Sequence, residues 1–121
     1  MAQDHCAAWS ARSPDDVAAR YAENVTMIMN GGDAMTHRAE IAQMAAGFMA
    51  DFPDLVLRLD GVLVAPGHMV YSWTFEGHHN RTGHLVGFSG WEEWDLEKDL
   101  KVTRSPDWFD AEDYGRQVSG G

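Results

Sequence analysis

The sequence predicts an α+β fold: a single domain in which one curved, mostly antiparallel sheet wraps around N-terminal helices. Three observations lead there. From His68 to Phe109 the chain reads as three nearly contiguous β-strands loaded with aromatic side chains, and four of the five tryptophans lie in that stretch. Ahead of it stands one helix with a continuous apolar stripe. At 121 residues there is room for one core and not for two.

Taken in order, Asp4 to Ala11 reads as a short helix with Cys6 and Trp9 at helical spacing. Ser13-Pro14-Asp15-Asp16 is a helix start, in which Ser13 accepts a hydrogen bond from a free amide, Pro14 suits the first helical position and Asp16 complements the dipole. That helix is expected to run to Ala22, with Val17 and Tyr21 pointing inward together. Asn24 to Asn30 has a short strand pattern, ended by Gly31-Gly32. His37 to Phe52 is the strongest helix. Thr36 is its candidate cap, Glu40 sits near the positive end of the dipole, and Ile41, Met44, Ala45, Phe48, Met49 and Phe52 form the stripe. Pro53 stops it.

Leu55, Leu57 and Leu59 then alternate with Val56, Arg58 and Asp60, giving a strand with a kink at Gly61 before Val62 to Val64. After the Pro66-Gly67 turn come a strand over His68 to His79, a turn at Asn80 to Gly83, a strand over His84 to Leu96, a turn at Glu97 to Asp99 and a strand over Leu100 to Phe109. Alternation puts Tyr71, Trp73 and Phe75 on one face and Phe88, Glu92 and Trp94 on one face, while Glu92 and Glu93 point opposite ways. Asp110 to Val118 reads as a terminal helix or an edge segment, with Ser119-Gly120-Gly121 as a loose tail. Gly61, Gly77, Gly87 and Gly90 are the places for sheet curvature. A sheet so curved leaves a cavity between its concave face and the long helix.

Charge narrows the partners. With 19 acidic against 9 basic side chains the formal net charge is −10, and a phosphate backbone would be repelled, so nucleic acid is not expected. No apolar run approaches the roughly 20 residues of a membrane helix, and the N-terminus lacks a secretion-signal layout. No membrane partner is expected. A lone cysteine, Cys6, makes no internal disulfide, which points to a reducing cytoplasmic compartment.

The order of elements, the Ser13-Pro14-Asp15 helix start, the segment MTHRAEI entering the long helix, WTFEGHH and the closing SPDWFD together resemble the SnoaL-like branch of the nuclear transport factor 2-like superfamily. The resemblance covers nearly the whole chain. It implies a cone of one curved sheet with three helices, a cystatin-like α+β barrel, and a homodimer formed through the sheet's outer face. Among such proteins are polyketide ester cyclases, ketosteroid isomerase, scytalone dehydratase, limonene epoxide hydrolase and many non-enzymatic domains, so function varies more than fold. In the cyclases a motif like Trp-Thr-x-x-Gly-Thr-His ends in a pocket histidine, and a last-strand segment like His-Trp-Asp-x-x-Asp carries an acid-base aspartate. These correspond to His79 and Asp107. His78 replaces the usual small residue, and Pro106 is expected to re-aim Asp107 or to place its strand at an edge. The alternating arginine and aspartate of the epoxide hydrolase have no evident counterpart.

Asp107 is the foremost candidate, a general acid or base whose burial among aromatic side chains, Trp108 beside it, raises its pKa. Its plainer reading is a turn-capping or solvated carboxylate. His79 would assist, against the plainer reading of a solvated histidine at a strand end. Asp33 is an alternative base on the loop before the long helix, or a simple acidic loop residue. His78 and His79 face opposite ways and no metal-ligand spacing is present, so no metal is expected. Tyr21, Met29, Phe48, Phe52, Trp73 and Trp91 are the expected substrate-binding lining, with Met27, Met35 and Met49 beside them, and the same spacing also serves plain core packing. Seven methionines suit an adaptable apolar lining. The expected function is cofactor-independent acid-base chemistry on a hydrophobic carbonyl-bearing small molecule, cyclase-like or isomerase-like. The alternative is a non-catalytic module of the same fold that binds a hydrophobic ligand or dimerises.

Overall fold

Period-two alternation in the second half of the chain becomes the body of a six-stranded sheet in a computed structural model, which describes residues 2–119. The helices are α1 (Ala2–Ser10), α2 (Pro14–Ala18), α3 (Arg38–Asp51) and α4 (Ala111–Ser119). The strands are β1 (Tyr21–Met29), β2 (Ala34–Met35), β3 (Val56–Ala65), β4 (His68–His78), β5 (Leu85–Leu96) and β6 (Val102–Phe109). The sheet order is β2-β1-β6-β5-β4-β3, an antiparallel meander from β3 to β6 that β1 joins in parallel. The sheet is curved and does not close. No helix among the described residues is long and apolar enough to cross a membrane.

The concave face is where the core sits. On β4 Met69, Tyr71, Trp73 and Phe75 are buried, and on β5 Val86, Phe88, Glu92 and Trp94 are buried, one residue in two on each strand. Against this face α3 turns its stripe, burying Ile41, Ala45 and Met49. Helix α1 covers the β3 edge. There Ser10 Oγ donates to the carbonyl of Leu57 at 3.2 Å and accepts from its amide at 3.0 Å, so one side chain caps a stretch of edge backbone.

Several expectations change. Helix α2 stops at Ala18, and Tyr21 and Ala22 open β1 instead of closing the helix. Tyr21 pairs across the sheet with Val102 and is fully buried, and sheet pairing overrides the local helix signal. Ser13 sits at the helix N-cap with an extended backbone but makes no side-chain cap; its carbonyl receives the Val17 amide at 3.0 Å. At α3 the N-cap is His37, while Thr36 donates from its amide and hydroxyl to Glu40 at 3.2 and 3.3 Å. The terminal segment is a helix. Of the expected tail, residues 120 and 121 lie outside the described residues.

Strand β6 is not an edge, because it runs between β1 and β5 with Pro106 opposite Ile28. The β5 ladder instead skips Glu93 and Trp94 between its pairs Glu92–Asp107 and Asp95–Arg104, a gap that falls opposite the strand position lacking an N–H. Curvature has two visible sources. A register shift interrupts β3 between Leu59 and Gly61. At Gly90 a Cβ would lie 2.3 Å from the Trp108 carbonyl oxygen and 2.6 Å from the Trp73 ring, so a hydrogen there is what lets the indole cross the sheet.

Gly90→Ala should therefore destabilise the fold by about 2–3 kcal/mol, as overpacking does. Gly87→Ala, whose added carbon would find nothing nearer than 3.8 Å, should change it little. Urea unfolding of the two variants beside the parent protein checks this, and equal midpoints for both would contradict it.

Candidate active site

Strand pairing brings a row of chemistry-bearing side chains across the concave face. Tyr71 on β4 stands opposite Glu92 on β5, Glu92 stands opposite Asp107 on β6, and Asp107 stands opposite Met29 on β1. Two residues before Asp107, on the same face, is Ser105. The end of β6 is clamped by Asn30, which takes a left-handed backbone at φ +53°. Its amide donates to the Asp107 carbonyl at 2.8 Å, and its side-chain oxygen accepts from the Phe109 amide at 2.8 Å. These bonds fix the backbone on both sides of Trp108 and so set the direction of Asp107.

Glu92 gathers donors from four residues. Tyr21 donates to its Oε1 at 2.8 Å, Trp94 Nε1 donates to the same oxygen at 2.9 Å, Tyr71 donates to Oε2, and Ser105 Oγ lies 2.9 Å from Oε1. Ser105 Oγ is also 2.9 Å from Asp107 Oδ1. All six of these side chains are buried, with Ser105 and Trp94 at 0 % exposure and Asp107 at 5 %.

Hydrogen counting assigns the charge. A serine hydroxyl has one hydrogen, so it cannot donate to two carboxylates at once. Either Ser105 donates to Glu92 and a protonated Asp107 donates to Ser105, or Ser105 donates to Asp107 and a protonated Glu92 donates to Ser105. In the second case Glu92 Oε1 would have to hold a proton while also accepting from Tyr21 and Trp94, so the donors around it fit the first. Asp107 carries the proton. Burial holds its pKa well above the ordinary carboxylate range, and the neighbouring Glu92 charge pushes it further in the same direction, against a smaller lowering by Ser105. The tyrosines stay neutral donors, because burial and then the Glu92 charge raise both phenol pKa values well above the usual one.

Behind Tyr21 lies His5 on α1, fully buried, with Nε2 3.3 Å from Trp9 Nε1 and 3.4 Å from the Tyr21 hydroxyl. Burial lowers its pKa to about 4 despite the pull of Glu92, so at neutral pH it is an uncharged ring. Its Nδ1 has no hydrogen-bond partner among the described residues.

Glu92 and Asp107 open onto a cavity otherwise lined by Trp9, Tyr21, Met27, Met29, Met44, Phe48, Leu57, Trp73, Phe75, Phe88 and Phe109. It has about 50 Å³ of space for the centre of a water molecule and about 510 Å³ of empty space when its open mouth is included. Trp9, Met29, Met44, Phe48 and Phe109 are half-buried and mark that mouth. None of these lining residues is a lysine, arginine or histidine.

Of the residues singled out in the sequence, Asp107, Tyr21, Met29, Phe48 and Trp73 meet at this cavity, as does Met27. His79 does not. It sits just past β4 in the hairpin turn, its ring edge-on to Phe52 at 5.2 Å and its Nδ1 accepting from the Arg81 amide at 3.2 Å. The strand register that puts Glu92 beside Asp107 leaves His79 at the other end of the β4–β5 hairpin. Phe52 packs on Phe75 and is core rather than lining. Trp91, one residue from Glu92, points to the outer face and is 48 % exposed, next to the exposed Trp108. Trp108 therefore does not bury Asp107; Glu92, Ser105 and the aromatic wall do. Asp33 is exposed on the segment between β1 and β2, away from the cavity. His78 pairs in solvent with Asp54 at 2.6 Å. Four participants, His5, Tyr71, Trp94 and Ser105, escape a motif search, although alternation alone puts Tyr71 with Trp73, Trp94 with Glu92 and Ser105 with Asp107.

No curated protein matches this sequence. Among solved structures, a protein of ketosteroid isomerase-like fold from Catenulispora acidiphila DSM 44928, in complex with trimethylamine, superposes with a TM-score of 0.86 at 17 % identity, over 98 % of this chain and 91 % of that one. A candidate polyketide cyclase from Xanthomonas campestris pv. campestris gives 0.81 at 20 % identity, over 97 % and 93 %. An LEH-like epoxide hydrolase from M. tuberculosis gives 0.78 at 13 % identity, over 99 % and 87 %. Likeness at these identities concerns the fold alone. The family match is made by the sequence itself: residues 2–105 fit the SnoaL-like domain, and the chain belongs to the SnoaL-like family.

Proposed function

We propose that the protein is a small acid-base enzyme acting, without a cofactor, on an apolar carbonyl-bearing molecule bound in the aromatic cavity. One observation carries this reading: two buried carboxyl groups, Asp107 and Glu92, bridged by Ser105 on the wall of an otherwise apolar chamber. A buried carboxyl group whose proton affinity has been raised is suited to exchange a proton with a carbon acid, which an ordinary aspartate does poorly. In the first half-reaction a proton next to the substrate carbonyl is taken up by the carboxyl pair and an enolate forms. The enolate then either receives the proton at another carbon, as in double-bond migration, or attacks a second carbonyl of the same molecule, as in aldol closure. The supporting role expected of His79 falls to Glu92, which shares the cavity with Asp107 while the imidazole does not.

The competing reading, a cavity that binds without turnover, separates from this one through Asp107→Asn. With 2-tetralone as a probe, exchange of its α-protons with D2O followed by NMR should fall about 10²–10⁴-fold in the variant, while the probe's affinity is kept. Exchange at the parent rate would contradict the assignment of Asp107.

Stability supplies a second check with a definite sign. An unfolded aspartate titrates near 3.8, and the folded-state value of Asp107 lies well above it. Its contribution to stability is therefore complete below about pH 4 and is lost as pH rises through the folded value. Asp107→Asn, neutral at every pH, should unfold at a higher temperature than the parent at pH 7, with the advantage gone near pH 3.5. A variant equally destabilised at both pH values would contradict a raised pKa.

A further inference from the structure

We infer that Ser105 is a proton-relaying positioning residue, and that the final acceptor of the substrate's proton equivalent is Glu92, reached through Asp107 and the serine hydroxyl. The inference rests on the acid-base reading of the cavity and adds the route the proton takes.

An already protonated Asp107 has no vacancy for a second proton, so it cannot by itself act as the base. The geometry offers a way round. Ser105 Oγ stands 2.9 Å from Asp107 Oδ1 and 2.9 Å from Glu92 Oε1, and none of the described hydrogen bonds reaches Asp107 Oδ2. With the aspartic acid's proton on Oδ1, donated to Ser105, Oδ2 is a bare acceptor on a residue that lines the cavity. As the substrate C–H bond breaks, its proton joins Oδ2, the Oδ1 proton passes to Ser105 Oγ, and the serine's own proton passes to Glu92 Oε1. Three O–H bonds form and two O–H bonds and one C–H bond break. Asp107 and Ser105 end as neutral as they began, and one negative charge moves from Glu92 to the enolate. Returning the proton to carbon runs the same three transfers backwards.

The relay also explains why a serine stands at a dry position. Ser105 is 0 % exposed and makes its two side-chain hydrogen bonds to the two carboxyl groups, so its hydroxyl is held between them and by nothing else among the described residues. A buried hydroxyl held between two acceptors is a costly group to retain for packing, where alanine would fill nearly the same space. In the direct alternative, Asp107 and Glu92 share a proton with each other and the serine is a bystander.

Ser105→Ala and Ser105→Thr decide between these. The 2-tetralone exchange assay should show Ser105→Ala slowed about tenfold or more at pH 7, with its rate recovering at higher pH where the pair loses its remaining proton. Ser105→Thr, which keeps the hydroxyl, should stay within a few-fold of the parent, and neither variant should change the probe's affinity. Ser105→Ala at the parent rate with the parent pH profile would overturn the relay. Parent protein that exchanges nothing would contradict the carbonyl reading instead. The relay is then judged on the free protein by carboxyl 13C NMR: the Asp107 and Glu92 signals should respond together to pH in the parent and separately in Ser105→Ala, and unchanged coupling in Ser105→Ala would overturn it.

Discussion

Two carboxyl groups and one serine hydroxyl share a dry interior, and a single hydroxyl hydrogen cannot serve both acids at 2.9 Å. The pair must hold an extra proton. Most of what surrounds it follows from that requirement. Tyr21, Tyr71 and Trp94 aim their donors at Glu92, and each donor comes from an aromatic side chain whose ring also fills the core. Taking a carboxylate out of water costs several kcal/mol, which is offset only when its lone pairs are filled. The rings provide that without bringing a counter-charge, so the site remains negative and Asp107 keeps its proton.

The fold is arranged to keep these groups in register. Three adjacent strands deliver Tyr71, Glu92 and Asp107 along one row, and β1, joined in parallel, adds Tyr21 and Met29 from the far side of β6. Gly90 lets Trp73 cross the sheet without pushing β5 away from β6. Asn30 fixes the end of β6, so the direction of Asp107 is set by backbone bonds rather than by its own side chain. Helices α1 and α3 supply what a curved sheet cannot, which is the other wall, with Trp9 from one and Met44 and Phe48 from the other.

Much of this architecture was legible in the residues because it depends on local rules. Alternation from His68 onward gave the concave face, the stripe on α3 gave its cover, and the order of elements gave the family. What could not be read was register. Whether Glu92 or Glu93 faced the cavity followed from alternation only up to a choice of side, and that Asp107 lies beside Glu92 rather than His79 depends on which residues of β5 and β6 pair. Pro106 looked like an edge marker because the parallel pairing with β1 has no local signal. Tyr21 carried a helix pattern with Val17, yet its burial against Glu92 lies 71 residues along the chain. The trio of His5, Trp9 and Tyr21 is likewise tertiary.

The chemistry of this site depends on where one proton resides. Neutron diffraction from a deuterated crystal near neutral pD locates it directly. One deuteron is expected on the Asp107 carboxyl, none on Glu92, and deuterons on Tyr21, Tyr71 and Trp94 directed at Glu92. A bare Asp107, or a deuteron resident on Glu92 with the aspartate ionised, would contradict this assignment.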